Sequence, residues 1–117
     1  MADTHTSLRA IPSTTSPVLG EIVRRLVEVY RPERIYLFGS VARGEATADS
    51  DYDLMIIVPD TSTSTRKQNR AGYRALREIG VPRDIFVSTS SEFNKQLHLK
   101  ASFPSTVVRE GLLLYGR

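Results

Sequence analysis

The sequence predicts an α/β fold, a small mixed β-sheet flanked by helices, in which strands one and two run antiparallel and strands two and three run parallel. Three observations carry this expectation. Apolar runs at Ile35-Tyr36-Leu37-Phe38, Leu54-Met55-Ile56-Ile57-Val58 and Asp84-Ile85-Phe86-Val87 are short and rich in β-branched or aromatic side chains, as buried strands are. A Gly39-Ser40 pair and an Asp51-Tyr52-Asp53 pair lie between the first two runs, so both fall at strand ends. The segment from 64 to 79 has a helical pattern and separates the second run from the third. Parallel neighbours need a crossover of about a dozen or more residues, usually helical, and this segment supplies one.

Residues 1 to 15 are rich in Thr, Ser and Ala without apolar periodicity and read as a loose tail, leaving residues 16 to 117 as one domain. Ser16-Pro17 reads as an N-cap followed by proline at the first helical position. Leu19, Ile22, Val23, Leu26 and Tyr30 then form a core-facing stripe that ends at Pro32. Arg24 and Arg25 fall on the solvated side of that helix. After the second strand, Thr61 to Thr65 is polar. The crossover helix that follows has a basic side of Arg66, Lys67, Arg70, Arg74 and Arg77, and a thin apolar side of Ala71, Ala75, Leu76 and Ile79, which implies shallow burial. Val81-Pro82 ends that stretch. A last helical region is expected from Ser91 through Phe93, Leu97 and Ala101, interrupted at Pro104. Gly111 leads into Leu112 to Tyr115.

Composition bounds the possibilities. The chain has 117 residues and is 40% hydrophobic, enough for one compact core and too little for a second lobe. It has no cysteine, so disulfides and thiolate metal sites are excluded. No signal peptide or membrane-length apolar run is present, and a cytoplasmic location without membrane attachment is expected. The net charge of +3 and pI near 9.5 are compatible with nucleotide binding but modest. The Tyr and Phe residues mostly occupy apolar stripes and offer no stacking platform, so direct nucleic-acid binding is not expected. His5 and His98 have no partner at ligand spacing and receive no role.

The chemistry concentrates at the strand ends. Side chains alternate faces along a strand, so Asp51 and Asp53 project to the same side and can share a cation. Gly39 lacks a Cβ and lets the backbone turn and approach a ligand, Ser40 offers a hydroxyl and an N–H to phosphate oxygens, and Arg43 adds a permanently charged planar fork. Magnesium takes oxygen ligands, and phosphoryl transfer commonly uses two ions, so a third acid is expected. Asp84, opening the third strand, is the best candidate. The end of strand one and the start of strand two meet at one phosphate only if they are antiparallel, and Asp84 joins Asp51 and Asp53 only if strand three starts where strand two starts. Two carboxylates about 5 Å apart repel by roughly 3 kcal/mol at an effective dielectric near 20, so three of them call for a divalent cation or a retained proton.

These residues, with Val41-Ala42-Arg43-Gly44-Glu45-Ala46 and Ser50-Asp51-Tyr52-Asp53-Leu54, resemble the minimal nucleotidyltransferases of the DNA polymerase beta superfamily. The resemblance runs from about residue 18 to the end, and Arg109-Glu110-Gly111-Leu112-Leu113-Leu114-Tyr115 looks like that family's terminal strand. It implies that Gly39 and Ser40 bind nucleotide phosphates, that Asp51 and Asp53 hold Mg²⁺, and that Asp84 completes a two-ion site and acts as general base. The reaction it implies moves AMP from ATP to an acceptor hydroxyl, with Gly39, Ser40 and Arg43 holding the β and γ phosphates. Minimal members are typically paired with a small helical HEPN protein, and the resemblance implies an antitoxin that adenylylates a tyrosine on a HEPN-type toxin. Two other readings stay open from the sequence: an antitoxin that masks its partner without catalysis, and nucleotidyl transfer to RNA or a small molecule.

Overall fold

The computed structural model describes residues 17–45, 47, 50–61 and 65–116. Ser16, the 1 to 15 tail and the middle of the polar stretch after the second strand lie outside the described residues, as do the side chains of Arg66 and Lys67. In chain order the elements are α1 (Pro17–Tyr30), β1 (Arg34–Phe38), α2 (Gly39–Ala42), β2 (Tyr52–Val58), α3 (Thr65–Ala75), β3 (Arg83–Thr89), α4 (Ser90–Lys95), α5 (Phe103–Glu110) and β4 (Leu112–Tyr115).

The four strands form one sheet in the order β3-β2-β1-β4. β1 pairs antiparallel with β2 and β4, and β2 pairs parallel with β3, as the sequence predicts. The parallel pair is bridged by α3. Alternation along the strands divides the core in two. On one face Ile35, Leu37, Leu54, Ile56, Val58 and Ile85 pack against Leu19, Ile22, Leu26 and Tyr30 of α1 and against Leu76 just beyond α3. On the other face Tyr36, Met55 and Ile57 meet Phe93 of α4 and Val107 of α5, with Phe38 and Leu97 partly buried beside them. Each fully buried Leu or Ile stabilises the fold by about 1.5–3 kcal/mol, so the first face, with most of them, holds the domain together.

The stripe on α1 follows the expected spacing. On its exposed side Glu21 accepts from Arg24 Nη2 at 2.5 Å and Arg25 Nε at 2.7 Å, and these two hydrogen bonds hold its carboxyl down at about 2. Arg25 does more than face water. It also donates to the carbonyl of Ala75 at 3.2 Å and so ties α1 to α3.

α3 sits deeper than its thin apolar side suggests. Leu76 is fully buried, and Gly72 lies against α1, where a Cβ would collide with the Tyr30 hydroxyl. That hydroxyl donates to the Gln68 carbonyl, and burial pushes its pKa up to about 12. α3 also covers the free edge of β3. Asn69 Nδ2 donates to the Ile85 carbonyl at 2.9 Å, and the Ile85 N–H donates to the Tyr73 hydroxyl at 3.1 Å. An edge strand with its backbone groups occupied is closed to pairing with another chain there.

The C-terminal region departs from the expectation of a single interrupted helix. α4 ends at Lys95, and α5 begins at Phe103 with Pro104 in its first turn. Ser102 caps α5 by accepting from the Ser105 N–H at 3.2 Å. Proline lacks an N–H that the first turn does not need, so it starts this helix rather than breaking one. No helix among the described residues is long and apolar enough to cross a membrane.

Candidate active site

The β1–β2 corner is built by a change of backbone conformation. Phe38 is extended at φ −136°, Gly39 turns to φ +80°, and α2 begins at once. The left-handed region costs a residue with a Cβ about 1–2 kcal/mol, so Gly39 is dictated by the turn. Space dictates it again: a Cβ at Gly39 would collide with Oδ2 of Asp53. α2 then closes with Arg43 N–H donating to the Gly39 carbonyl at 3.1 Å and Glu45 N–H donating to the Ser40 carbonyl at 2.9 Å. The turn expected at Gly39 is therefore the start of a short helix.

Strand register brings the acids together. Phe38 is opposite Asp53, and Asp53 is opposite Asp84, so one row crosses β1, β2 and β3. The Tyr52 N–H donates to the Pro82 carbonyl at 2.9 Å and fixes the two strand starts side by side. Asp51 stands one residue before β2, on the same side as Asp53 by alternation.

The charges respond to this crowding. The Asp53 carboxyl, half-buried, is pushed above the ordinary carboxylate range, first by burial, then by the charge on Asp84, and then by that on Asp51. Arg43 pulls in the opposite direction. Its guanidinium is itself shared, because Nε donates to Glu45 Oε1 at 3.0 Å. Asp53 therefore lies within electrostatic reach of both other aspartates.

Among the described residues no three acidic or imidazole side chains meet closely enough to form a ready-made metal cage. Register sets Asp53 opposite Asp84, and Asp51 stands two residues before Asp53.

The same face carries a feature the sequence did not reveal. Phe38, Phe86 and Phe103 form a triad with ring centroids 5.3 to 5.5 Å apart, tilted or edge-to-face. Phe86 is 38% exposed and Phe103 44% exposed. The expectation that the phenylalanines vanish into apolar stripes fails for these two. Their ring contacts join residues far apart in the chain, and only the alternation in β3 that places Phe86 beside Asp84 could have hinted at it.

Comparison with known proteins agrees with this geometry. The sequence model of the nucleotidyltransferase domain matches residues 19–113. A candidate protein adenylyltransferase of Methanocaldococcus jannaschii is 34% identical over 104 residues, which cover 81% of this chain and 92% of the relative. The fold is similar to the crystal structure of a candidate nucleotidyltransferase from Sulfolobus solfataricus, with a TM-score of 0.61 and 20% identity over 97% of this chain and 86% of that one. It is similar as well to a chain in the crystal structure of a toxin–antitoxin with AMP-PNP, with a TM-score of 0.55 and 21% identity over 84% of this chain and 73% of the other. A Gly-Ser corner pressed on an aspartate, a second aspartate in register on a parallel strand, and a family match across both place this chain in the nucleotidyltransferase domain family.

Proposed function

We propose that this nucleotidyltransferase moves AMP from ATP to a tyrosine hydroxyl of a HEPN-type toxin and thereby acts as its antitoxin. The observation that carries the reading is the Gly39 turn packed directly against Asp53, which stands opposite Asp84 on the neighbouring strand. The relative named as a candidate protein adenylyltransferase supports a protein acceptor. The likeness to a toxin–antitoxin chain crystallised with AMP-PNP supports ATP as donor and a toxin as partner.

The donor set fits Mg²⁺. It is all oxygen, and the carboxylate cluster is short of positive charge, since its nearest cation, Arg43, is already paired with Glu45. Asp51 and Asp53 would hold one ion and share a second with Asp84; bound there, the ions neutralise triphosphate charge and acidify the acceptor hydroxyl.

The chain's own residues do the rest. The Gly39 corner, the Ser40 hydroxyl and the Arg43 fork bind and orient the β and γ phosphates, so that the pyrophosphate leaves with its charge already matched. The acceptor oxygen forms a bond to the α-phosphorus as the bond from that phosphorus to the β-bridging oxygen breaks. Asp84 accepts the hydroxyl proton, and pyrophosphate carries away the bonding electrons.

The test is to incubate the full chain with ATP labelled at the α-phosphate and the protein encoded beside it, then to locate the label by peptide mass spectrometry. Label on a tyrosine of the neighbour supports the reading. Absence of label on any acceptor supports masking without catalysis, and label on RNA or a metabolite supports the third reading.

A further inference from the structure

Phe38 is partly buried against the core of Phe93, Met55 and Val107, whereas the triad's two outer rings, Phe86 and Phe103, are well exposed. Exposed aromatic side chains clustered in one place mark binding surfaces more often than chance exposure does. Phe86 and Phe103 also line a concavity of about 340 Å³ with Met55, Phe93 and the polar side chains of Asn69, Glu92 and Gln96. Apolar rings with polar groups placed among them are the usual make-up of a small-ligand pocket.

Position assigns the occupant. Along the sheet, the phosphate corner at Gly39 belongs to β1, the central acid Asp53 to β2, and the third acid Asp84 to β3. The donor's phosphates thus enter from the β1 side, and the hydroxyl that gives its proton to Asp84 enters from the β3 side. Phe86 lies two residues beyond Asp84 on the same face of β3, a separation of about 7 Å along a strand. A phenol oxygen hydrogen-bonded to Asp84 at about 2.7 Å carries its ring centre roughly 3 Å farther on, so the ring reaches toward Phe86. A serine or threonine hydroxyl at the same point leaves the rings uncovered.

We infer that Phe86 and Phe103, backed by Phe38, form a shelf for the acceptor's aromatic ring, and that these residues select a phenolic hydroxyl over an aliphatic one. The inference rests on the transfer reaction proposed above and adds to it the side of approach and the specificity-determining residues. Phe86 and Phe103 are positioning residues, since they touch the acceptor ring and not the reacting atoms.

The test uses the full-length chain and two simple probes, N-acetyl-tyrosinamide and N-acetyl-serinamide, followed by amide chemical shifts in the presence of Mg²⁺ and AMP-PNP. The expected result is that the tyrosine amide moves signals of β3 and the start of α5, while the serine amide leaves them in place. Phe86→Leu and Phe103→Leu keep an apolar side chain and hence the fold. Each should weaken tyrosine-amide binding about threefold to tenfold, the worth of one aromatic pair, without changing AMP-PNP affinity. Equal responses to both amides, or none to either, would overturn the shelf. Movement of the same signals by AMP-PNP alone would overturn it too, by giving the rings to the nucleobase. If AMP-PNP itself fails to bind the wild-type chain, the transfer reading falls; if it binds and the phenol does not, the shelf alone falls.

Discussion

Gly39 lies so close to Asp53 that the smallest side chain at position 39 would occupy the space of a carboxylate oxygen. The corner proposed to receive phosphate and the acid that faces it are therefore one packed unit. Gly39→Ala must both leave the left-handed region and displace Asp53. The expected stability loss is about 1–2 kcal/mol, visible as a lower urea midpoint with unchanged slope. The expected loss of turnover is much larger, about a hundredfold, because a displaced carboxylate no longer holds its proposed ion where the reacting groups are aligned.

Asp53 is held above its ordinary range, so the fold favours its protonated form. Stability from this source is fully present below the unfolded-state value, about 3.9, and is lost as pH rises through the higher folded value. Asp53→Asn removes the penalty. In the presence of a chelator the variant should melt higher than wild type at neutral pH, and the difference should shrink as pH falls through the carboxylate range. Mg²⁺ should raise the melting temperature of wild type and leave that of the variant nearly unchanged. A variant less stable than wild type at neutral pH would mean that the crowding of Asp53, Asp84 and Asp51 is not a cost to the fold.

Arg43 divides its charge between the acid cluster and Glu45, in an exposed ion pair. Breaking that pair with Glu45→Gln frees the guanidinium for phosphate. Exposed pairs are worth about 0–1 kcal/mol, so ATP affinity measured by calorimetry should rise by no more than about fivefold, whereas Arg43→Ala should lower it. Arg43→Lys should behave more like the alanine variant, since a point charge cannot reproduce the fork.

Gly72 is where α3 touches α1. Alanine there gains about 1 kcal/mol of helix propensity, yet its Cβ meets the Tyr30 hydroxyl and lies 3.1 Å from Ile85 Cδ1. Overpacking should prevail, with a net loss of about 1–3 kcal/mol in chemical denaturation. Tyr30→Phe removes the obstructing hydroxyl, so Gly72→Ala should cost less in that background, a coupling that a double-mutant cycle would read directly.

Much of this was legible before any coordinates. Alternation fixed which face Asp51 and Asp53 share, and the need to bring Asp84 to them forced an antiparallel pair followed by a parallel one, which is the sheet observed. Those inferences rest on strand periodicity, which is local and strict. What escaped the sequence depends on contacts between distant residues. Phe38, Phe86 and Phe103 come from three elements, and nothing local announces that their rings meet. The contact of Gly72 with Tyr30 likewise joins two helices far apart in the chain. Pro104 reads as an interruption because the start signal, Ser102 accepting from Ser105 N–H, depends on where the preceding turn releases the chain.

The most direct test of the site is single-turnover transfer of labelled AMP from ATP to the neighbouring protein, comparing wild type with Asp53→Asn. The expected result is a loss of about a hundredfold to a thousandfold in rate, the usual scale when a charge-stabilising group is removed, in a variant whose fold and melting temperature are preserved or improved. Transfer by Asp53→Asn at the wild-type rate would contradict the assignment of this carboxylate row as the catalytic centre.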